Sequence, residues 1–389
     1  METLLIPALL DHHWPLLRWA FETRNRRAIV LEEDGAAVEA LGLRHLHNDL
    51  CYPFHLIAGQ VLAALRSGRC DPDRTSVLIS QSADGCRGSC LIHLLRAALD
   101  REGFGAVTLL SLNARGMAWD HPLPVTPGMA LRAVAAAFWG DALLLLGNQT
   151  RPREASPGET NRRIARWTKI LSDDLKKNRN LTPWGILRRC REMSDDFRRI
   201  PRGTQAVQRI AVVGDLYTKY CRLGNWNLET FLERRGCEAA VNGLTWYALY
   251  YMDTHLDRGL LLRPAGQVLT AAASRFQRRF VRLLREAGFL VLPPYPELKR
   301  LAPASCCALG SGWLLAAEAT AWSQAGTRKI LSGLPFGCLP GHIYGRGQYA
   351  SLQRTLPGTL LVGVDYDTSI PKGSVQDRIQ MLLDMEPPC

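Results

Sequence analysis

Over its first 115 residues the chain alternates short apolar runs with longer stretches of helical spacing. Thr3–Pro7, Ala28–Leu31, Ser76–Ser80 and Val107–Leu112 are short and apolar, as buried strands are. Between them, Pro15–Thr23, Phe54–Arg66 and Leu91–Glu102 place their apolar residues three and four apart, the spacing of one helix face. Parallel strands need a crossover, and a helix supplies it. The rhythm therefore predicts an α/β fold, a parallel sheet with helices on both faces.

The pattern changes after residue 127. Ala130–Gly147 is apolar enough for a buried helix, and Ile164, Trp167, Leu171 and Leu175 mark one face of a basic amphipathic helix. Trp184–Phe197 reads as a second such helix, and Pro201-Arg202-Gly203 closes the segment. A second α/β unit opens at Arg209-Ile-Ala-Val-Val-Gly-Asp. It continues through strands at Ala239–Asn242, Lys329–Ser332 and Thr359–Val364 and helices at Asn227–Arg235, Gln267–Gly288, Gly312–Gly326 and Gln376–Asp384. The expected organisation is an N-terminal α/β domain over 1–127, a helical insert or connector over 128–203, and a C-terminal α/β domain over 204–389. The two α/β domains are expected to be Rossmann-like, with a site at strand ends and helix starts.

Three cysteines fall where a predicted strand gives way to a predicted helix. Cys51 lies in His-Asn-Asp-Leu-Cys-Tyr-Pro, Cys86 in Ser-Ala-Asp-Gly-Cys-Arg-Gly, and Cys338 in Leu-Pro-Phe-Gly-Cys-Leu-Pro-Gly-His. Soft thiolates gathered from separate loops can hold a metal centre. A helix start offers unpaired N–H groups and a partial positive charge, which favour the thiolate. Gly85, Gly337 and Gly341 permit tight turns, and Pro53 and Pro340 stiffen the chain after their cysteines. Spacing alone leaves two readings open: a metal centre, or three plain cysteines in turns.

Eleven cysteines in 389 residues, without a basic and then long apolar leader, argue against a disulfide framework and for a reducing compartment. The expected location is the cytoplasm. No continuous apolar run approaches the roughly 20 residues of a membrane helix. The net charge of +12 suits a small anionic substrate. The basic helices at 159–200 also admit a nucleic-acid-binding reading. The interleaved Asp173, Asp174, Asp195 and Asp196 break up that field and make the reading weaker.

Several stretches carry a resemblance when taken in order. They are His47–Gln60 (HNDLCYPFHLIAGQ), Pro72–Ser111 with its SADGCR core, and Val212–Asn227 (VVGDLYTKYCRLGNWN). Gly310–Glu318 (GSGWLLAAE), Leu334–Gly347 (LPFGCLPGHIYGRG) and Val364–Arg378 (VDYDTSIPKGSVQDR) follow. Together the chain resembles the 2-hydroxyacyl-CoA dehydratase superfamily. The likeness is to its cluster-binding subunits and to the double-cubane cluster proteins associated with CoA-enzyme activases. The resemblance implies an iron–sulfur cluster, 4Fe–4S or of double-cubane type, with Cys51, Cys86 and Cys338 as ligands. Cys90 and Cys221 are further candidate ligands, and a fourth iron site open to substrate is the alternative. It implies a low-potential electron delivered by a separate activator ATPase, since no Walker A pattern and no actin-like phosphate pair are present. It also implies a homodimer, or a heterodimer with a paralogous subunit, and a reductive reaction such as acyl-CoA dehydration.

The sequence departs from that pattern. Ser82-Ala83-Asp84-Gly85 stands where relatives have a richer glycine run, Gly341 stands where Asn is usual, and Cys306-Cys307 match no expected ligand. His55 and His342 are the candidate proton carriers, and His47 and Asp49 flank Cys51. Asp365-Tyr-Asp367, after the last strand, offers polar groups. Two other classes of function stay open at this point. One is a non-catalytic electron carrier or scaffold built on the same cluster. The other is a structural zinc site using some of the same thiols.

Overall fold

A computed structural model describes residues 1–80, 86–112, 121–255, 263–303 and 309–387. The chain is α/β, with two parallel sheets. The first contains β1 (Glu2–Ile6), β2 (Arg26–Val30), β3 (Thr75–Ser80), β4 (Thr108–Leu112) and the two-residue β5 (His121–Pro122), in the order β2-β1-β3-β4-β5. The second contains β6 (Gln208–Gly214), β7 (Cys237–Val241), β8 (Lys329–Pro335) and β9 (Leu360–Tyr366), in the order β7-β6-β8-β9. Every pairing is parallel. Apart from β5, the two sheets therefore share one strand order, although the sequence shows no internal repeat.

Strand alternation in the first sheet feeds two cores. Leu4, Ile6, Leu78 and Leu110 face a large core shared with the rest of the molecule. Leu5, Val77, Ile79 and Leu109 face a smaller one, closed by Leu62, Leu95 and Leu99 from helices Tyr52–Arg66 and Leu91–Arg101. The period of two in side-chain direction sends successive residues to opposite faces.

The helices between the sheets join them. Helix Pro127–Thr150 packs against helix Trp14–Phe21 and against β7. Inside it, Asp141 is fully buried and accepts four hydrogen bonds. His13 Nε2 donates at 2.8 Å, Leu244 N–H at 2.6 Å, Thr245 N–H at 3.0 Å and Thr245 Oγ1 at 2.6 Å. One carboxylate so ties the first sheet's loop, the middle helix and the start of helix Leu244–His255. Of its apolar stretch, 67% is buried in the protein, and the span 127–153 has the length and composition of a membrane helix. Counting continuous apolar residues missed this, because Asp141 and small polar residues interrupt the run. Its burial is that of a core helix.

One local expectation is corrected. Helix Ala36–His45 precedes Cys51, so that cysteine joins two helices rather than a strand and a helix. Gly42 helped to hide the helix. A Cβ on Gly42 would stand 1.9 Å from the His55 carbonyl oxygen, and one on Gly59 would stand 2.0 Å from that of Val38. Each of the two crossing helices supplies one glycine that lets the opposite backbone approach, so these weak helix formers are required by the crossing.

Candidate metal centre

In a doubly wound sheet, ligands bind at the carboxyl ends of the strands where the strand order reverses. Here the reversals fall between β1 and β3 and between β6 and β8. Cys86 follows β3, and Cys338 follows β8. They occupy corresponding places in two sheets of the same order. Cys51 is the N-cap of helix Tyr52–Arg66, which leads into β3. Its counterpart in the second half is Trp313, the N-cap of helix Leu314–Gln324, which leads into β8.

The loops that carry the three cysteines are drawn together. Arg87, next to Cys86, donates through Nη1 to the carbonyl of Asp49 and through Nη2 to the carbonyl of Gly337. One guanidinium thus clasps the Cys51 loop and the Cys338 loop. Burial raises the Cys51 thiol well above its ordinary value, and Cys338, Asp215 and Cys86 raise it further, against Arg87. Burial likewise raises Cys338, with Asp215 and Cys86 adding to it and the Gly341 N–H and Arg87 opposing. Cys86 caps the turn Arg87–Cys90, its sulfur accepting from the Gly88 N–H at 3.3 Å. None of the three is disulfide-bonded. Gly337 and Gly341 serve this packing. Gly337 has φ +68°, and a Cβ there would stand 2.9 Å from Arg87 Nη2. A Cβ on Gly341 would stand 3.1 Å from Cys338 Sγ.

The donor set suits an iron–sulfur cluster in kind: three thiols, two buried and one partly exposed, with an arginine cation beside them. Among the described residues no three His, Cys, Asp or Glu side chains are grouped to hold one metal ion. A polynuclear cluster asks for wider spacing than a single ion, because several iron atoms stand between the sulfurs.

The other candidates lie elsewhere. Cys90 is exposed at the start of helix Leu91–Arg101. Cys221 is fully buried in the core beside Tyr217, and burial pushes its thiol up to about 12. Cys306 and Cys307 lie outside the described residues, as does Gly85 with the Ser82–Asp84 turn. His55 is buried, its Nε2 donating to the His47 carbonyl at 3.1 Å, and burial lowers its pKa. That geometry holds the 47–51 loop on its helix. His342 is partly exposed, and its Nε2 donates to Asp365 Oδ1 at 3.2 Å. Arg346 Nη2 donates to both oxygens of Asp365 at 2.8 Å. An imidazole oriented by a carboxylate can carry protons.

Sequence reasoning missed Asp215 and Arg87. Asp215 follows the apolar run Ile210–Gly214, and an acid straight after a buried parallel strand is a usable signal. It caps the short helix Leu216–Tyr220, Oδ1 accepting from the Tyr217 N–H at 2.8 Å. Behind it, Lys219 donates to both oxygens of Glu318 at 3.0 Å, and Asn242 donates to the same carboxylate at 3.0 Å. Lys219 and Glu318 are both buried, and both lie in the stretches that carry the resemblance.

No family model and no curated protein matches the chain.

Proposed function

We propose that the chain is an iron–sulfur protein of the 2-hydroxyacyl-CoA dehydratase type, working in the cytoplasm. The observation that supports this reading is that Arg87, beside Cys86, bonds the loops of Cys51 and Cys338, distant in sequence, near two sheet reversal points. A bound cluster supplies one-electron chemistry at low potential. Arg87 holds the two cysteine loops together and balances negative charge. His342, oriented by Asp365, moves protons for a small anionic substrate such as an acyl-CoA thioester. Phe336, Leu339 and Ile343 are each about half exposed around Cys338. They form the apolar surface on which a separate activator ATPase docks to deliver the electron. A homodimer or a paralogous partner subunit belongs to the same reading.

A second reading, an electron carrier without turnover, draws on a different observation. Among the described residues, neither the 410 Å³ cavity bordered by Asp253 and Tyr295 nor the 450 Å³ cavity bordered by Gln208 and Gln380 is lined by any of the three cysteines.

The test is anaerobic reconstitution with iron and sulfide, metal and sulfide analysis, and EPR, on the natural protein and on Cys338→Ala. Bound iron and sulfide in equal amounts, lost in the variant, supports the cluster. A colourless protein overturns it, and zinc without sulfide replaces it with a structural zinc site. Substrate perturbation of the EPR signal separates the enzyme from the carrier.

A further inference from the structure

We propose that the cavity walled by helices Leu244–His255, Arg263–Glu286 and Tyr295–Lys299 binds a small phosphomonoester. None of the three cysteines lines it, so the inference stands independently of the cluster reading.

Helix Arg263–Glu286 has two unlike faces. Phe276 and Phe280 pack on the core residue Phe138, with ring centroids 4.7 and 5.3 Å away. Gln267, Thr270, Ala271, Ser274, Arg275 and Arg278 recur three and four apart, so they form one stripe. On an ordinary surface helix such a stripe faces open water. Here Asp253 on one side, and Tyr295 and Lys299 on the other, wall it into a cavity of 410 Å³. Small-molecule sites run from roughly 300 to 1,000 Å³.

The charges in this cavity do not cancel. Three cations, Arg275, Arg278 and Lys299, line it against one acid, Asp253. Asp253 is already answered, its Oδ2 accepting from the Tyr295 hydroxyl and from Lys299 Nζ, each at 2.6 Å. That contact fixes the ammonium and leaves it two protons to donate. Arg278 has one long contact, Nε to Glu297 Oε1 at 3.7 Å. Among the described residues Arg275 has no partner, and neither has the hydroxyl of Ser274, a residue only 7% exposed. The wall is also held in place from behind. The Tyr295 N–H donates to Gln277 Oε1 at 2.8 Å, Gln277 Nε2 donates to Thr245 Oγ1 at 3.4 Å, and Thr245 Oγ1 donates to the buried Asp141 at 2.6 Å. The cations therefore stand on a framework fixed before any ligand arrives, which lowers the cost of binding.

A phosphomonoester carries close to two negative charges at neutral pH and has three strong acceptor oxygens. Two negative charges match the surplus of three cations over one acid. Guanidinium forks suit phosphate oxygens, and the lysine adds a point charge. Met252, Ala271 and Pro296 give the organic part of the ligand an apolar wall.

The experiment titrates the full chain with phenyl phosphate by calorimetry at neutral pH, with inorganic phosphate, succinate and phenol for comparison. The natural protein is set beside Arg275→Gln, Ala271→Phe and Lys169→Gln. Arg275 and Ala271 are exposed, so neither change removes a core contact. Lys169, exposed on helix Glu159–Lys176, controls for general loss of charge. One phenyl phosphate per chain is expected. Arg275→Gln should weaken it roughly tenfold, Ala271→Phe should abolish it by filling the cavity, and Lys169→Gln should leave it unchanged. Phenol should not bind, and inorganic phosphate and succinate should bind more weakly. No saturable uptake of phenyl phosphate overturns the site, as does equal affinity in the natural protein, Arg275→Gln and Ala271→Phe. Tighter binding of succinate overturns the choice of phosphate, and equal binding of inorganic phosphate overturns the organic part of the ligand. Binding is read without iron, so failure of cluster reconstitution leaves this result standing.

Discussion

The guanidinium of Arg87 and the carbonyl of Gly337 are hydrogen-bonded across the two halves of the molecule. Gly337 makes this contact with φ +68°, and a Cβ there would stand 2.9 Å from the same guanidinium. Gly337→Ala meets both obstacles. The left-handed conformation costs roughly 1–2 kcal/mol for a residue with a Cβ, and Arg87 must shift as well. The expected outcome is a folded protein with a modestly lower melting temperature and poor iron uptake. Arg87→Lys, which has one point charge where the clasp needs a fork, is expected to weaken iron uptake with little change in stability. Unchanged iron content in both variants would show that the clasp does not hold the loops in place for the metal.

The buried carboxylate of Asp141 is expected to be among the most sensitive positions for stability. It satisfies His13, Leu244 and Thr245 at once, and neither Asp141 nor His13 has measurable exposure. Asp141→Ala leaves those donors in the dark, a loss of about 3–5 kcal/mol. Gly140 and Gly243 leave no slack for rearrangement, with virtual Cβ atoms 2.4 Å from His13 Cδ2 and 2.4 Å from Asp141 Oδ2. Urea unfolding of the single variants and of His13→Ala/Asp141→Ala tests the coupling. Additive losses would mean that the two residues act separately.

The alternation of elements was legible because parallel strands are buried on both faces and read as short apolar runs. β3 and β8 were readable in this way, and Cys86 and Cys338 followed from the turns behind them. Helix Ala36–His45 was not legible, because the feature that makes it pack, Gly42 against the His55 backbone, lowers its helical signal. Helix Leu244–His255 was missed for the opposite reason. It is rich in aromatic residues all round and shows no single apolar face. The role of Arg87 is tertiary. It arises because the segment after β3 reaches the loop after β8, and no local pattern encodes that pairing.

Glu229 is expected to make the fold acid-sensitive. Its burial alone would raise its pKa, but His12, Arg151 and Asn148 outweigh that and hold it at about 2, against 4.5 for the ordinary group. His12 Nε2 lies 2.8 Å from its Oε2, and Asn148 Nδ2 donates to Oε1 at 3.1 Å. A lowered folded value means that the stabilisation is complete above about pH 4.5 and is lost as the pH falls through about 2. Between pH 7 and pH 3 this carboxylate alone should account for roughly 2 kcal/mol. Glu229→Gln should be less stable than the natural protein at neutral pH, and the gap should narrow in acid. Urea unfolding at the two pH values measures it, and a gap of constant size would exclude Glu229 as the source.

Metal-free protein should show a fixed order of thiol reactivity. Cys90 is exposed, whereas burial and neighbouring negative charge raise Cys51 and Cys338, so both stay protonated near neutral pH. The thiolate is the reactive form. Brief treatment with iodoacetamide at pH 7 is therefore expected to label Cys90 first among the described cysteines, and Cys51 and Cys338 only at high pH or after unfolding. Uptake of iron must displace the protons of these raised thiols, so loading should release acid and should improve as the pH rises. The same thiols should resist alkylation even at high pH once iron is bound, while Cys90 stays reactive. Mass-spectrometric peptide mapping with and without iron reads each position separately. Labelling of Cys338 at equal rate in both states would mean that its sulfur does not meet the metal.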